Sequence, residues 1–130
     1  MQIIILLAMI YCHIIDDFYL QGILSQMKQY KWWINLEGFN SKYKNDYIVA
    51  LICHGFSWSC TISIPILVYR FKSINTFWCI VLAITVLINT IIHVYVDNAK
   101  ANKYQLNLLQ DQLIHLAQII VTFLLLVNIL

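Results

Sequence analysis

Four apolar stretches, each near the length needed to cross a lipid bilayer, restrict this chain more than any other feature. With a rise of about 1.5 Å per residue and a hydrocarbon core of about 30 Å, one crossing takes about 20 apolar residues. Such stretches fall at about 2–27, 47–69, 75–98 and 107–130. Hydrophobic residues make up 62% of the 130 and charged residues only 11%, with a single proline. A soluble domain of this size has too little interior to hide that much apolar surface. The expected fold is all-α: an integral membrane four-helix bundle, one transmembrane domain over 1–130, with an interfacial loop at about 28–46, a tight turn and a short polar loop between helices.

The formal net charge is +2, which excludes a strongly basic nucleic-acid-binding surface and makes the location of the charges the informative quantity. Cys12, Cys53, Cys60 and Cys79 all lie in apolar runs without a CxxC pair, so they read as small hydrophobes rather than a disulfide framework or zinc ribbon. The first apolar run has the length of a signal peptide but lacks a basic leader and a small-residue cleavage pattern, and is expected to be retained.

Charge placement sets the expected topology. Lys28, Lys31, Lys42, Lys44, Lys100 and Lys103 lie in the first and third connections, against Arg70 and Lys72 in the second. By the positive-inside rule the first group is cytoplasmic, so both termini face the non-cytoplasmic side of a multi-pass protein in the inner membrane. The acids Asp16, Asp17, Glu37, Asp46, Asp97 and Asp111 follow the same division. Basic and aromatic residues alternate from Lys28 to Tyr47, which suits headgroup-level anchoring by Trp32, Trp33, Phe39 and Tyr43. A partner-binding loop is the other reading of that segment.

Three of the four histidines stand four residues from an aspartate: His13 with Asp17, His93 with Asp97, and His115 with Asp111. On a helix that spacing puts both side chains on one face, where they can share a metal ion or a proton. Alternating helix direction then gathers all three pairs, and His54 from the second helix, into one half of the membrane. Polar stripes accompany them: His13, Asp17 and Gln21 in the first helix, Thr85, Asn89, His93 and Asp97 in the third, Asp111, His115, Gln118 and Thr122 in the fourth. Lipid cannot satisfy such groups, so the stripes face the interior. Asp16, about 100° round the helix from Asp17, reads as a neighbouring or interface residue. Ser57 shares the face of His54, whereas Ser59, Thr61 and Ser63 read as packing groups.

Taken singly, each His/Asp pair is as well explained by helix-to-helix hydrogen bonding. Together, His13, Asp17, His54, His93, Asp97, Asp111 and His115 form a nitrogen and oxygen ligand set suited to zinc foremost, or to iron or manganese, as one ion with outer partners or as two ions. A bound divalent ion would supply a hydroxide near neutral pH, with Asp17 or Asp111 as general base. The leading expectation is a metal-dependent hydrolase acting on a membrane-accessible small-molecule or lipid substrate from the cytoplasmic side. An alternative is a proton-coupled carrier or channel, which in so short a chain requires a homo-oligomer. A structural or regulatory membrane subunit is the third class.

The series His13-x-x-x-Asp17-Phe18-x-x-Gln21, Met27-Lys28, His54, His93-x-x-x-Asp97-x-x-Lys100 and Asp111-Gln112-x-x-His115 resembles the small bacterial and phage membrane-protein family catalogued as domain of unknown function 3307. The resemblance covers nearly the whole chain and implies a site built on these positions, with Gln112 joining Gln21 and Asn89 as supporting groups; it implies no particular reaction. That family often carries a second histidine shortly after the one in the second helix, where this chain has Ser57. Rich use of Ile, Asn, Lys and Tyr suits the AT-rich genome of a phage or low-GC bacterium. In a viral setting the cargo of a carrier is expected to be a small metabolite such as a modified nucleobase precursor.

Overall fold

The computed structural model describes residues 2–36, 38 and 41–128; Glu37 and Phe39, assigned above to the cytoplasmic face and the headgroup level, lie outside the described residues, as do the last two residues of the fourth apolar stretch. The described chain is helical, with four helices long and apolar enough to cross a membrane. Helix α1 covers Gln2–Ile14 and runs on through a π-helical segment, Ile15–Leu20. Two short helices follow, α2 (Leu24–Met27) and α3 (Tyr30–Ile34), and then the long helices α4 (Asp46–Arg70), α5 (Thr76–Ala101) and α6 (Leu108–Asn128).

The first apolar stretch is expected as one helix over 2–27, but the structure breaks it after Leu20. Gly22 adopts φ 50°, a left-handed conformation that a residue with a Cβ enters only at a cost. The Gln21 side chain folds back to donate to both the backbone carbonyl and the carboxylate of Asp17. The chain beyond the break turns across the end of the bundle, where Asn102 ties it down: its amide donates to Lys28 O at 3.0 Å and accepts from Tyr30 N at 2.7 Å.

The other ends have ordinary causes. Asn75 caps α5 by accepting from Trp78 N at 2.8 Å, and Asn107 and Gln110 form a reciprocal capping box at the start of α6, at 2.9 and 3.0 Å. The long helices pack in the cyclic order α1, α4, α5, α6, each against the next and α6 back on α1. Paired contacts run in opposite sequence directions, His13 with Trp58 and Asp17 with His54, His54 with His93 and Ser59 with Thr90, Asn89 with Thr122 and Lys100 with Asp111, so neighbours are antiparallel. An apolar core of Ile5, Met9, Trp58, Ile62, Ile66, Trp78, Ile119 and Leu126 fills the middle and one end.

At the other end α4 and α5 come unusually close. A Cβ on Gly55 would stand 2.9 Å from Val94 Cγ2 and 3.2 Å from the Thr90 carbonyl oxygen. A side chain there would have to push Val94 and the α5 backbone aside, as at small-residue crossings of membrane helices. The close crossing places His54, next in sequence to Gly55, directly against His93.

Candidate metal centre

All seven sequence-selected histidines and aspartates meet at this one end of the bundle. The π-helical segment carries Asp16 and Asp17, and such widened turns recur at functional sites. Asp17 reaches the centre, its carboxylate 3.2 Å from His54 Nε2. Asp16 is buried behind it, accepting from Ser57 at 2.9 Å and Thr61 at 3.1 Å, with its other oxygen 3.8 Å from His54 Nδ1. Asp16 thus sits at the interface with α4, as a neighbouring or interface residue would, and Thr61 donates to its carboxylate besides packing.

Three imidazoles turn Nε2 toward the centre. His54 Nε2 lies 3.1 Å from His93 Nε2; His115 Nε2 lies 3.4 Å from both Asp97 Oδ1 and Asp111 Oδ1; His93 Nε2 lies 3.8 Å from Asp97 Oδ1. These donors form three groups able to hold an ion: Asp17, His54 and His93; His93, Asp97 and His115; and Asp17, Asp111 and His115. The three groups interlock: His93 joins the first to the second, His115 the second to the third, and Asp17 the first to the third. Zinc bonds of about 2.0–2.1 Å in a tetrahedron place neighbouring ligand atoms about 3.4 Å apart, close to the separations around His115.

The outer hydrogen bonds fix which nitrogen faces inward. His115 Nδ1 donates to Gln118 Oε1 at 3.1 Å, because the Gln118 amide nitrogen is committed to Asn89, so Nε2 faces the two carboxylates, with a lone pair in the neutral ring or an N–H in the imidazolium. Neither His115 Nε2 nor Asp111 Oδ1 has a hydrogen-bond partner among the described residues, although both are buried. A lone pair facing carboxylate oxygens is repulsive unless a cation or a proton lies between them. His93 Nδ1 is also without a hydrogen bond, its ring stacked between Trp58 and His115 at centroid distances of 4.4 and 4.1 Å.

His13 stands apart from the other three. Trp58 Nε1 donates to His13 Nδ1 at 2.8 Å, which leaves the ring proton on Nε2, donated to Gln112 Oε1 at 3.1 Å. Both nitrogens are occupied, and His13 joins none of the three groups. It instead orients Gln112, whose amide nitrogen bridges Asp17 Oδ2 at 2.9 Å and Asp111 Oδ2 at 3.0 Å. Gln21 holds the other Asp17 oxygen at 2.7 Å. Asn89 sits farther down α5, donating to Thr122 at 2.7 Å and reaching the centre only through Gln118.

Lys28 and Lys100, part of the series that carries the family resemblance but placed by composition only in the connections, reach the cluster. Lys28 Nζ pairs with Asp97 Oδ2 and Lys100 Nζ with Asp111 Oδ2, each at 2.6 Å, leaving the Oδ1 atoms turned toward the imidazoles. With neutral histidines, four carboxylates (Asp16, Asp17, Asp97, Asp111) against two ammonium groups leave two uncompensated negative charges in an almost fully enclosed cluster. One divalent cation, or two protons, balances them. Of the other basic residues, Lys31 lies outside the long helices with its ammonium 5.1 Å from the centre of the Tyr104 ring, and a hydrogen bond to Tyr104 raises its pKa. Comparison with protein-family profiles, curated proteins and solved structures gave no match.

Proposed function

We propose that this chain is a multi-pass protein of the cytoplasmic membrane whose buried cluster holds a divalent transition metal ion, zinc foremost and iron or manganese next, and that it hydrolyses a membrane-accessible substrate from the cytoplasmic side. The observation that carries this reading is the convergence of three buried imidazole nitrogens with the carboxylates of Asp17, Asp97 and Asp111 in groups able to hold an ion. His93, Asp97 and His115 would hold the ion, flanked by His54 and Asp111. Such an ion polarises a carbonyl or phosphoryl oxygen and lowers the pKa of bound water.

Asp17 is the general base in this reading, because among the described residues Asp97 is paired with Lys28 and Asp111 with Lys100, whereas Asp17 is held by Gln21, Gln112 and His54. Water's oxygen bonds to the acyl carbon or phosphorus, its proton passes to Asp17, and the ester, amide or phosphodiester bond breaks with that proton delivered to the leaving atom. Asp111, fully buried and tied to Lys100, serves as ligand or anchor instead. The lysine-rich connections at this end support a cytoplasmic cluster with both termini outside; an impermeant thiol reagent should label a terminal cysteine in intact cells, and protection of an expressed protein would reverse the orientation.

Protein stripped by chelator and reloaded with zinc, iron or manganese should hydrolyse a nitrophenyl ester only when loaded. Asp17→Asn should keep the metal while losing about 10²–10⁴-fold in rate. Equal activity of the stripped protein, or a fully active Asp17→Asn, overturns the hydrolase reading.

The 3.1 Å approach of His54 Nε2 to His93 Nε2 favours a second reading, since it is also the length of a hydrogen bond carrying one proton. Protons rather than a metal would then balance the cluster, in a homo-oligomeric proton-coupled carrier. Uptake into proteoliposomes driven by a pH gradient, by protein free of metal, distinguishes it.

A further inference from the structure

His54, His93, Asp97, Asp111 and His115 are all buried, so an ion or a water molecule reaches them only if part of the protein moves. Two ammonium groups lie between the carboxylates and the surface at this end of the bundle: Lys28, 12% exposed, on Asp97, and Lys100, 33% exposed, on Asp111. They are carried differently. Lys100 belongs to α5, one of the four long helices, and moves only with the bundle. Lys28 belongs to the strap from Gly22 to Asn35 that lies across the bundle's end.

The strap holds together better than it holds to the bundle. Trp33 Nε1 donates to Met27 O at 2.6 Å, which ties α3 back to α2. Neither short helix has a buried residue, so little apolar surface fixes the strap in place. Its ties are the two hydrogen bonds to Asn102, the Tyr30 ring against Tyr47 at 5.6 Å, Lys31 over Tyr104, and the Lys28 ion pair. Segments with so few buried apolar contacts open locally at a cost below that of global unfolding. At the near end Gly22, with φ 50°, has nothing within 4 Å of where a Cβ would stand, so the backbone can turn there without a clash.

We infer that this strap is the gate of the cluster: it pivots at Gly22, is latched by Asn102, and lifts the Lys28 ammonium off Asp97 when it opens. Asp97 Oδ2, the atom that Lys28 covers, lies 3.5 Å from His54 Nε2. Departure of Lys28 therefore opens a path to that imidazole first. What passes through, a metal ion and water, rests on the reading proposed above; the gate itself does not.

Metal-free, full-length protein in micelles, treated with diethyl pyrocarbonate and followed by peptide mass spectrometry at His54, tests the gate without any metal. Wild type should react slowly. Asn102→Leu removes two hydrogen bonds of ordinary net strength and should raise the rate about tenfold or more. Gly22→Ala strains the left-handed pivot of the closed strap and should raise it about fivefold or more. Cysteines in a Tyr30→Cys, Asn102→Cys double variant, set where Tyr30 N meets Asn102 Oδ1 at 2.7 Å, should hold the rate at or below that of wild type when oxidised and release it on reduction, with wild type taken through both treatments as control. His13, whose ring nitrogens are held by Trp58 and Gln112, should keep its wild-type rate throughout.

All four histidines rising together would show the whole bundle loosening, and a His54 rate indifferent to the disulfide would show entry past Lys100 or from the lipid side; either overturns the inference. Zinc release to a chromophoric chelator should follow the same order of rates. Protein that gates the reagent but binds no zinc fails the metal centre alone, and protein that binds zinc but shows one His54 rate in every form fails the gate alone.

Discussion

Lys28→Met is the sharpest single test of the charge balance. Lys28 Nζ stands 2.6 Å from Asp97 Oδ2, with side chains 12% and 3% exposed. At that distance and an effective dielectric constant of about 20, the attraction between unit charges is about 6 kcal/mol. Desolvation offsets part of it, and removing one partner of such a pair costs about 3–5 kcal/mol, because the other charge stays buried and unpaired. In metal-free protein Lys28→Met raises the cluster's excess from two negative charges to three. Adding Asp97→Asn returns it to two and removes the stranded carboxylate. Denaturant midpoints in detergent micelles, at neutral pH with chelator present, should show a loss of about 3–5 kcal/mol for Lys28→Met and recovery of most of it in the double variant. A single variant within about 0.5 kcal/mol of wild type, the range of ordinary surface changes, or a double variant no more stable than the single, would refute a buried, charge-balancing pair.

The remaining predictions concern the ligands and their supports. His93→Ala and His115→Ala should abolish stoichiometric metal binding, while His13→Ala, which acts through Gln112, should weaken it about 10–100-fold; titration with a competing chelator reads both. Gln118→Leu removes the acceptor of His115 Nδ1 and should also weaken metal binding about 10–100-fold, whereas Gln118→Glu, which keeps an acceptor, should retain it. Gly55→Val drives side-chain carbon into Val94 and the Thr90 carbonyl, so unfolding measurements should show about 1–3 kcal/mol of destabilisation, and the widened separation of His54 from His93 should lower metal affinity.

Helix number and the gathering of the His/Asp pairs were legible in the sequence because both follow from coarse regularities: runs of spanning length, and helices that alternate in direction. The break after Leu20 was not, since Gln21 and Gly22 interrupt an apolar pattern that resumes with Ile23 and Leu24. Only the left-handed conformation of Gly22 and the capture of Gln21 by Asp17 decide it. That break also brings Lys28 to the cluster. On an unbroken helix it would stand about 16 Å from Asp17 along the axis, but the chain turns over the end of the bundle and brings it to Asp97.

His13 shows the opposite limit. Its four-residue spacing from Asp17 is the same as in the other pairs, and nothing local separates a ligand from a positioning group. The difference is made by Trp58 and Gln112, contributed from α4 and α6. Trp58 itself carried no sequence signal beyond being an aromatic residue four positions after His54, yet it touches His13, His93 and His115.

The central claim, a nitrogen and oxygen metal centre inside the helix bundle, is tested most directly by X-ray absorption at the metal edge of the protein as purified, or after zinc is added back. The spectrum should show a first shell of nitrogen and oxygen at about 2.0–2.2 Å with imidazole scattering and no sulfur, lost in His93→Ala. No bound metal under either condition, or a shell containing sulfur at about 2.3 Å, would contradict it.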